Sequence, residues 1–359
     1  MSPSNNRVII ACAGSGKTTR LVKESLSAKG KRTAIVTYTN NNVREIINRF
    51  CEVNSGVPTH VDVMTWFGFL LRECARPYQR VKYSEHRIES IRFVSQQSAL
   101  YVPENETRRY YFANGGNIYS DKIAQFVVQC ENISRGSVTG RLQDIYANIL
   151  IDEFQDLSGW DLNFVESLMK SGLPTTLVGD PRQHTYSTNP SRKNKKYLGS
   201  KFTNLAKKWE RLGRCNIEDA MNESHRCNQA ICDFVNLLWP EMDPMQSLST
   251  LTDKVTGVFR VSEHSVNEYI RRCKPQVLRN NKNAKSYGCD ALNFGSAKGL
   301  EFDHVLIVPT TPIKKFLMTG EIKHVEKGKH YLHVAVTRAK HSVGFVLDGS
   351  SPILPQQFA

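Results

Sequence analysis

The sequence lacks the patterns of a membrane protein and of a secreted disulfide-bonded protein. No segment approaches the roughly 18 consecutive apolar residues of a membrane span, and Arg7 precedes only a short apolar run instead of a signal peptide. The nine cysteines include no C-x-x-C pair, and their closest spacing, from Cys227 to Cys232, fits no zinc or iron–sulfur pattern. We therefore expect a soluble, cytoplasmic protein with reduced cysteines and no membrane partner.

Acidic residues are in the minority. Asp and Glu number 34 against 48 Lys and Arg, which gives a formal net charge of +14. Such an excess favours a polyanionic partner, such as nucleic acid, over an acidic small substrate, although a basic surface without a partner is the alternative. The length of 359 residues favours two or three domains.

Short β-branched runs alternate with helical patterns along the chain. One set lies at 8–11, 33–37, 61–64, 149–151 and 175–178, and a second set lies at 258–261, 276–278, 291–294, 304–308 and 342–346. This alternation predicts an α/β fold with parallel sheets in two tandem domains.

The spacing of these runs also predicts an insertion. Segment 71–123 is far longer than one crossover needs, and we expect it to be an inserted, mainly helical subdomain. The first domain would then contain 1–70 and 124–212, and the second would contain 213–359. Segment 185–214 is polar and basic, which is typical both of a loop and helix that follow nucleic-acid phosphates and of a solvated connector.

A glycine-rich loop follows the first predicted strand. Gly14 and Gly16 allow the backbone to approach a phosphate, Lys17 is placed to bridge the β- and γ-phosphates of ATP, and Thr18 is placed to bind Mg²⁺. The leading glycine of the usual G-x-x-x-x-G-K-[ST] pattern is Ala11 here. A chance Gly-Lys-Thr is the alternative, and the strand before the loop argues against it. The predicted nucleotide-binding residues are Ala13, Gly14, Ser15, Gly16, Lys17, Thr18 and Thr19.

Two carboxylates follow the apolar run at 149–151. Asp152 is expected to hold Mg²⁺, and Glu153 is placed to orient the attacking water and accept its proton. A surface acidic cluster is the alternative, but three aliphatic residues directly before the pair indicate a buried strand. The sequence therefore predicts nucleotide hydrolysis with ATP and Mg²⁺.

Further motifs occur in order along the chain. Segment 152–156, with the sequence DEFQD, is similar to the D-E-x-Q-D signature of superfamily 1 DNA helicases of the UvrD/Rep/PcrA type. Segments 37–40, 65–68, 179–183, 224–226, 296–302 and 336–339 resemble other motifs of that family. The chain also resembles the short UvrD-like proteins that act beside a nuclease in phage-defence systems. Only about 70 residues separate Arg226 from Ser296, so the family's large 2B insertion is expected to be reduced or absent.

The resemblance implies two RecA-like P-loop NTPase domains with ATP in the cleft between them. Arg226 and Arg338 would neutralise the γ-phosphate in the transition state, an effect of roughly 10³ to 10⁵ in rate. Gln183 would sense the γ-phosphate, and Glu301 would contact the ribose. His225 stands where the family stacks a tyrosine on adenine.

The resemblance also implies single-stranded DNA as a partner, with bases stacked on aromatic rings without sequence preference. For any single ring, packing in the core is the alternative. Thr188 and Gly295 stand where the family has a tryptophan and a histidine, so some DNA contacts are expected to be missing. The implied DNA-binding residues are Tyr38, Thr39, Asn40, Thr65, Trp66, Tyr186 and Ser296.

Three functions compete at this stage. The first is an ATP-driven translocase or helicase on single-stranded or tailed duplex DNA, with the family's 3′→5′ polarity. The second is a DNA-sensing ATPase that regulates a nuclease or another effector without processive unwinding. The third, a scaffold without enzymatic activity, would need a broken ATP site, whereas the residues for phosphate, metal and water are all present.

Overall fold

The computed structural model describes residues 5–28, 32–191 and 193–358. The chain alternates strands and helices, and its two larger sheets contain parallel pairs of strands. It divides into two compact units. The first contains residues 5–10, 17–181 and 186–219, and the second contains residues 11–16, 182–185 and 220–358. The predicted α/β class is therefore confirmed.

The elements up to residue 221 belong mainly to the first unit. The strands are β1 (Arg7–Ala11), β2 (Arg32–Thr37), β3 (Val61–Thr65), β4 (Ser90–Arg92), β5 (Asn117–Tyr119), β6 (Tyr146–Ile151), β7 (Thr175–Gly179) and β8 (Asn216–Met221). The helices are α1 (Lys17–Ser27), α2 (Asn40–Asn54), α3 (Trp66–Phe69), α4 (Arg76–Tyr78), α5 (Thr107–Tyr111), α6 (Ile123–Ile133), α7 (Ser137–Ile145), α8 (Trp160–Ser171) and α9 (Phe202–Arg211).

The main sheet of the first unit has the strand order β3-β2-β6-β7-β1-β8. Strands β2, β3, β6 and β7 are parallel neighbours, with Ile35 opposite Val63 and Ile151 opposite Leu177. The carboxyl ends of parallel strands meet at one edge of a sheet, which is where ligands bind in folds of this class. Tyr38, Asp152 and Asp180 follow the ends of β2, β6 and β7 at this edge.

Local sequence explains why these elements form where they do. Ile149, Leu150 and Ile151 are fully buried in β6, as expected for a strand covered on both faces. The Thr39 side chain caps the start of helix α2 by accepting a hydrogen bond from the Asn42 amide, and Ser55, in a left-handed conformation, follows its last residue.

The segment predicted as an insertion contains short elements. Its helical elements are a π-helical turn (Leu70–Ala75), α4, a 3₁₀ turn (Gln79–Val81) and α5. It also holds the parallel pair β4–β5, which the sequence prediction did not include. Each strand of this pair has only three residues, so period-2 alternation gives almost no signal there.

The second unit contains the remaining elements. Its strands are β9 (Glu223–Ser224), β10 (Gln246–Ser247), β11 (Gly257–Val261), β12 (Gln276–Arg279), β13 (Ala291–Asn293), β14 (Phe302–Ile307) and β15 (Ala339–Val346). Its helices are α10 (Gln229–Asn236), α11 (Val266–Cys273), α12 (Thr311–Thr319) and α13 (Lys329–Val336). The parallel sheet has the order β11-β15-β14-β12-β13.

The core of the second unit lies against this sheet and includes Phe234, Phe316 and Phe345. Within the described residues, no helix combines the length and the apolar character that a bilayer crossing requires.

Candidate functional site

The acidic pair after β6 lies beside the lysine that begins α1. Lys17 Nζ is 3.7 Å from Glu153 Oε1, and Asp152 and Glu153 are 5% and 7% exposed. The Glu153 amide donates to Asp152 Oδ1 over 2.9 Å. The backbone of Glu153 is left-handed, with φ of 57°, which is uncommon for a residue with a side chain and is typical of functional turns. Two residues predicted to act on the same nucleotide therefore lie together.

This acidic pair fits a divalent cation. Burial, and then the charge of Glu153, raises the pKa of Asp152 to about 7. Two buried carboxylates face one lysine, and carboxylate and hydroxyl oxygens are the ligands that Mg²⁺ prefers. Thr18, in the first turn of α1, would supply the hydroxyl. Among the described residues, no group of three or more His, Cys, Asp or Glu could hold a metal ion. Mg²⁺ that binds together with phosphates usually takes only one or two carboxylate ligands from a protein.

Gln155 links the acidic pair to the next strand. Its amide nitrogen donates to Glu153 Oε2, and its oxygen accepts from the Asp180 amide over 3.1 Å. A Cβ atom at Gly179 would lie 2.7 Å from Gln155 Oε1, so the glycine allows this close approach. Gln155 was not among the predicted site residues, although it is the glutamine of the D-E-x-Q-D signature. It positions the Glu153 carboxylate.

The predicted phosphate loop is grouped with the second unit. The His225 amide donates to the Gly14 carbonyl over 2.9 Å, and a Cβ atom at Gly14 would lie 2.6 Å from Ser224 Oγ and 2.7 Å from Arg226 Cβ. Gly14 and Gly16 both have positive φ, of 71° and 80°. The glycines are therefore required by the backbone conformation and, at position 14, by close packing. Ala13 is buried beside this loop, and Thr19 lies in the first turn of α1.

A cavity of about 520 Å³ opens beside the loop within the second unit. Ser15 and His225 line it, together with the polar residues Asn222, Glu223 and Gln246. The Ser15 side chain is 3% exposed, and its hydroxyl has no hydrogen-bond partner among the described residues. An orphaned buried hydroxyl in a phosphate loop fits a ligand oxygen. His225, which the resemblance assigns to the adenine, is exposed at this cavity.

Two predicted arginines lie close together in the second unit. Arg226 donates to Glu301 Oε1 over 2.8 Å and to the Thr337 carbonyl over 3.3 Å, next to Arg338 in sequence. Burial opposes ionisation of Glu301, but the charge of Arg226 and its hydrogen bond outweigh that effect, so the pKa of Glu301 is lowered. Glu301 therefore orients Arg226, a partnership that the sequence did not indicate.

Arg338 is 3% exposed and contacts the predicted γ-phosphate sensor. Its Nη2 donates to Gln183 Oε1 over 3.2 Å, and its other donors bind the carbonyls of Val334 and Leu300. Lys298 Nζ also donates to the Gln183 carbonyl, over 3.1 Å. Arg338 and Gln183 are thus held as one hydrogen-bonded group.

The predicted DNA-binding residues differ in their exposure and in their structural roles. Asn40 and Ser296 are exposed, and Tyr186 is 36% exposed. Thr39 and Thr65 each cap a helix, through the amides of Asn42 and Gly68.

Trp66 does not match its predicted role in base stacking. Its side chain is 1% exposed, and Nε1 donates to Asp161 Oδ1 over 2.7 Å. Thr188, at the position of the family's tryptophan, also bonds to Asp161, through Oδ2. An indole with a buried partner for its N–H is a core residue, so Trp66 stabilises the first unit and presents no face to a base.

Four aromatic residues instead form a row in the first unit, which we call the aromatic row. Tyr38 lies 6.1 Å from Tyr186 and 6.2 Å from Phe67, and Phe67 meets the edge of Phe93 at 5.3 Å. Phe93 is 66% exposed. No motif in the sequence singles out Phe93, because it lies in the inserted segment, and only the folded structure brings it to Phe67.

Two family models match the chain. That of the UvrD/REP helicase N-terminal domain matches residues 70–194. That of the viral superfamily 1 RNA helicase core domain matches residues 135–347, which is more than half of the chain. Among curated proteins, none matches.

Similar solved structures include arterivirus nonstructural protein 10 (helicase), with 16% identity, a TM-score of 0.48, and coverage of 97% of this chain and 62% of that one. A complex of the arterivirus protein with DNA has 15% identity, a TM-score of 0.49, and coverage of 96% and 61%. PRRSV nsp10 (helicase) has 16% identity, a TM-score of 0.23, and coverage of 96% and 54%. The chain thus spans about three fifths of the length of the arterivirus helicase.

Proposed function

Because this chain belongs to the superfamily 1 helicases, we propose that it is an ATP-driven translocase or helicase on single-stranded nucleic acid. The observation that carries the proposal is the group of Lys17, Asp152 and Glu153, in which two buried carboxylates lie beside a half-buried lysine and Lys17 Nζ is 3.7 Å from Glu153 Oε1. Removing charges from water costs free energy, and buried ionisable groups with strongly shifted pKa values, such as Asp152, cluster at functional sites.

In this proposal the chain's own residues divide the chemistry of ATP hydrolysis. Glu153, held by Gln155, accepts the proton of the attacking water, while Lys17 binds phosphate oxygens. Mg²⁺ held by Thr18 and Asp152 would neutralise phosphate charge. The family resemblance gives Arg226 and Arg338 the role of supplying positive charge to the γ-phosphate. The domain assignment of the family, with 1A at 1–70 and 124–212 and 2A at 213–359, is part of this proposal.

We propose single-stranded DNA as the polymer, because the N-terminal match is to the UvrD/REP type. Phe93 and Tyr186, the exposed members of the aromatic row, would stack bases, and the net charge of +14 would attract the backbone. The 3′→5′ polarity is carried over from that type. We place the activity in the cytoplasm, where ATP and nucleic acid are both present.

A second candidate is a DNA-sensing ATPase that regulates a partner nuclease, as in phage defence. The segment between Arg226 and Ser296 supports it, because β11, β12 and β13 of that segment belong to the sheet of the second unit. Little chain remains there for a separate regulatory insertion. In this version, the partner would act on the DNA, and this chain would control the partner by sensing DNA and hydrolysing ATP.

The test is the steady-state ATPase activity of the wild type and of Glu153→Gln, each measured with and without single-stranded DNA or RNA. We expect strong stimulation by DNA and a loss of about 10² to 10⁴ in turnover in Glu153→Gln, as for removal of a positioned base. Glu89→Gln, an exposed glutamate in the inserted segment, is the matched control and should keep wild-type turnover. Full turnover in Glu153→Gln would contradict the site, and activity without stimulation would favour the regulatory candidate.

A further inference from the structure

Two carboxylates, those of Glu223 and Asp243, line the cavity of about 520 Å³ beside the phosphate loop, which we call the acidic cavity. Its lining also includes the side-chain amides of Asn222 and Gln246. In the described part of the chain, neither Lys nor Arg lines it. An ionised carboxylate repels phosphate and only accepts hydrogen bonds. The acidic cavity therefore suits a group that donates hydrogen bonds and carries no negative charge.

A short pair of strands brings these side chains together. Gln246, in β10, lies opposite Glu223, in β9, and the Gln246 backbone amide donates to the Asn222 carbonyl over 3.0 Å. Asp243 precedes β10 and is exposed, as are Glu223 and Gln246. Among the described residues, the side chains of these three residues and of Asn222 form no hydrogen bond or ion pair. All four are therefore open to a ligand.

A buried hydroxyl connects the acidic cavity to the phosphate loop. Ser15 lines the cavity although its side chain is only 3% exposed, and its Oγ has no hydrogen-bond partner among the described residues. His225 also lines the cavity, and its Cδ2 lies 3.9 Å from the place that a Cβ atom at Gly16 would take. The volume is within the range of about 300–1,000 Å³ that is usual for small-molecule sites. A nucleotide with its phosphates on the loop could therefore extend into this cavity.

A purine base is the part of a nucleotide that matches the lining. Guanine has neighbouring N–H donors at N1 and N2, which the two oxygens of a carboxylate can accept together. Adenine has an amino donor beside a ring acceptor, which the amide of Asn or Gln matches. The acidic cavity offers both kinds of partner. Within the described residues, no group of three or more His, Cys, Asp or Glu could hold a metal ion, so the two carboxylates do not form a metal site.

We propose that the acidic cavity binds the purine base and accepts guanine as well as adenine, so that GTP is a second substrate of this chain. The inference rests on the proposed function, because the phosphates would lie on the loop of the proposed ATPase site. Asn222 and Gln246 would bind adenine, and Glu223 and Asp243 would bind guanine. The reaction is the same for both nucleotides. Water attacks the γ-phosphorus, and the bond to the β-phosphate oxygen breaks to give the nucleoside diphosphate and inorganic phosphate.

The test measures kcat/KM for GTP and for ATP, with oligo-dT present, and takes their ratio. The wild type should hydrolyse both nucleotides. In Glu223→Gln/Asp243→Asn the ratio of GTP to ATP should fall about tenfold, because each new amide can present N–H donors to the donors of guanine, and one good bidentate pair discriminates between bases by about that factor. The control, Asp290→Asn/Glu326→Gln, removes the same charge from two exposed carboxylates of the second unit outside the cavity and should keep the wild-type ratio.

Hydrolysis of ATP without hydrolysis of GTP by the wild type would overturn this inference and leave the proposed function intact. The same holds for a ratio that is equal in the wild type and in Glu223→Gln/Asp243→Asn, since the carboxylates would then not contact the base. Partial misfolding lowers both values of kcat/KM by the same factor, so the ratio reports on the base alone. The two single variants are measured as well, and the ratio should fall in at least one of them. A wild-type chain that hydrolyses neither nucleotide would overturn the proposed function and this inference with it.

Discussion

At the level of single residues, the buried carboxylate of Asp161 organises its surroundings and also costs stability. It accepts hydrogen bonds from Trp66 and Thr188 and is 1% exposed. Burial raises the pKa of Asp161 from 3.8 to about 6, although its hydrogen bonds act in the opposite direction. The folded state therefore holds the Asp161 proton more tightly than the unfolded state does. Stability from this group is present below pH 4 and is lost as the pH rises to about 6.

We predict that Asp161→Asn reduces this pH dependence. Asn resembles the protonated acid and keeps an acceptor for the Trp66 indole. Relative to the variant, the wild type should lose about 3 kcal/mol of unfolding free energy between pH 4 and pH 7, because a pKa shift of about 2 corresponds to that amount. Urea unfolding of both proteins at the two pH values measures it. A difference between the proteins that does not change with pH would mean that Asp161 ionises normally in the folded state.

At the level of elements, the sequence predicted the strands of both large sheets except β8. Runs such as 149–151 and 342–346 are rich in apolar and β-branched residues, because a strand in a covered parallel sheet is buried on both faces. β8 (Asn216–Met221) was missed because its sequence, NIEDAM, is half polar and it lies at the edge of the sheet.

Motifs identified Lys17, Asp152 and Glu153, which lie together. Trp66, Phe93 and the Arg226–Glu301 pair depend on contacts between segments distant in sequence, which periodicity cannot reveal.

The phosphate loop gives a prediction at this level, because Gly14 has two reasons to be glycine. Its φ of 71° costs an L-residue about 1 kcal/mol, and the close approach of Ser224 and Arg226 adds about 1–3 kcal/mol of overpacking. Gly288 has a φ of 76°, and no atom of the described residues lies within 4 Å of the place that a Cβ atom would take. Gly288→Ala should therefore have only the cost of the positive φ. Gly14→Ala should therefore lower the free energy of urea unfolding more than Gly288→Ala and should also abolish ATPase activity. Equal losses of stability would show that the loop moves away from residues 224–226 without cost.

At the level of the whole molecule, the net charge of +14 and the aromatic row predict two separable contributions to nucleic-acid binding. The charge acts through counterion release, so affinity for oligo-dT should fall about 100-fold between 50 and 200 mM salt if about five phosphates are contacted. Stacking hardly depends on salt. Phe93→Ala should lower the affinity by about tenfold at every salt concentration without changing the slope, since one stacked base contributes about 1–3 kcal/mol.

Tyr101→Ala is the matched control for this last prediction, because Tyr101 is 97% exposed in the same inserted segment and lies outside the aromatic row. It should bind like the wild type at all salt concentrations. A flat salt dependence would show that the basic surface is not the binding surface, and equal effects of Phe93→Ala and Tyr101→Ala would remove Phe93 from the path of the strand. Parallel lines for the wild type and Phe93→Ala would show that base stacking and counterion release contribute independently to the affinity.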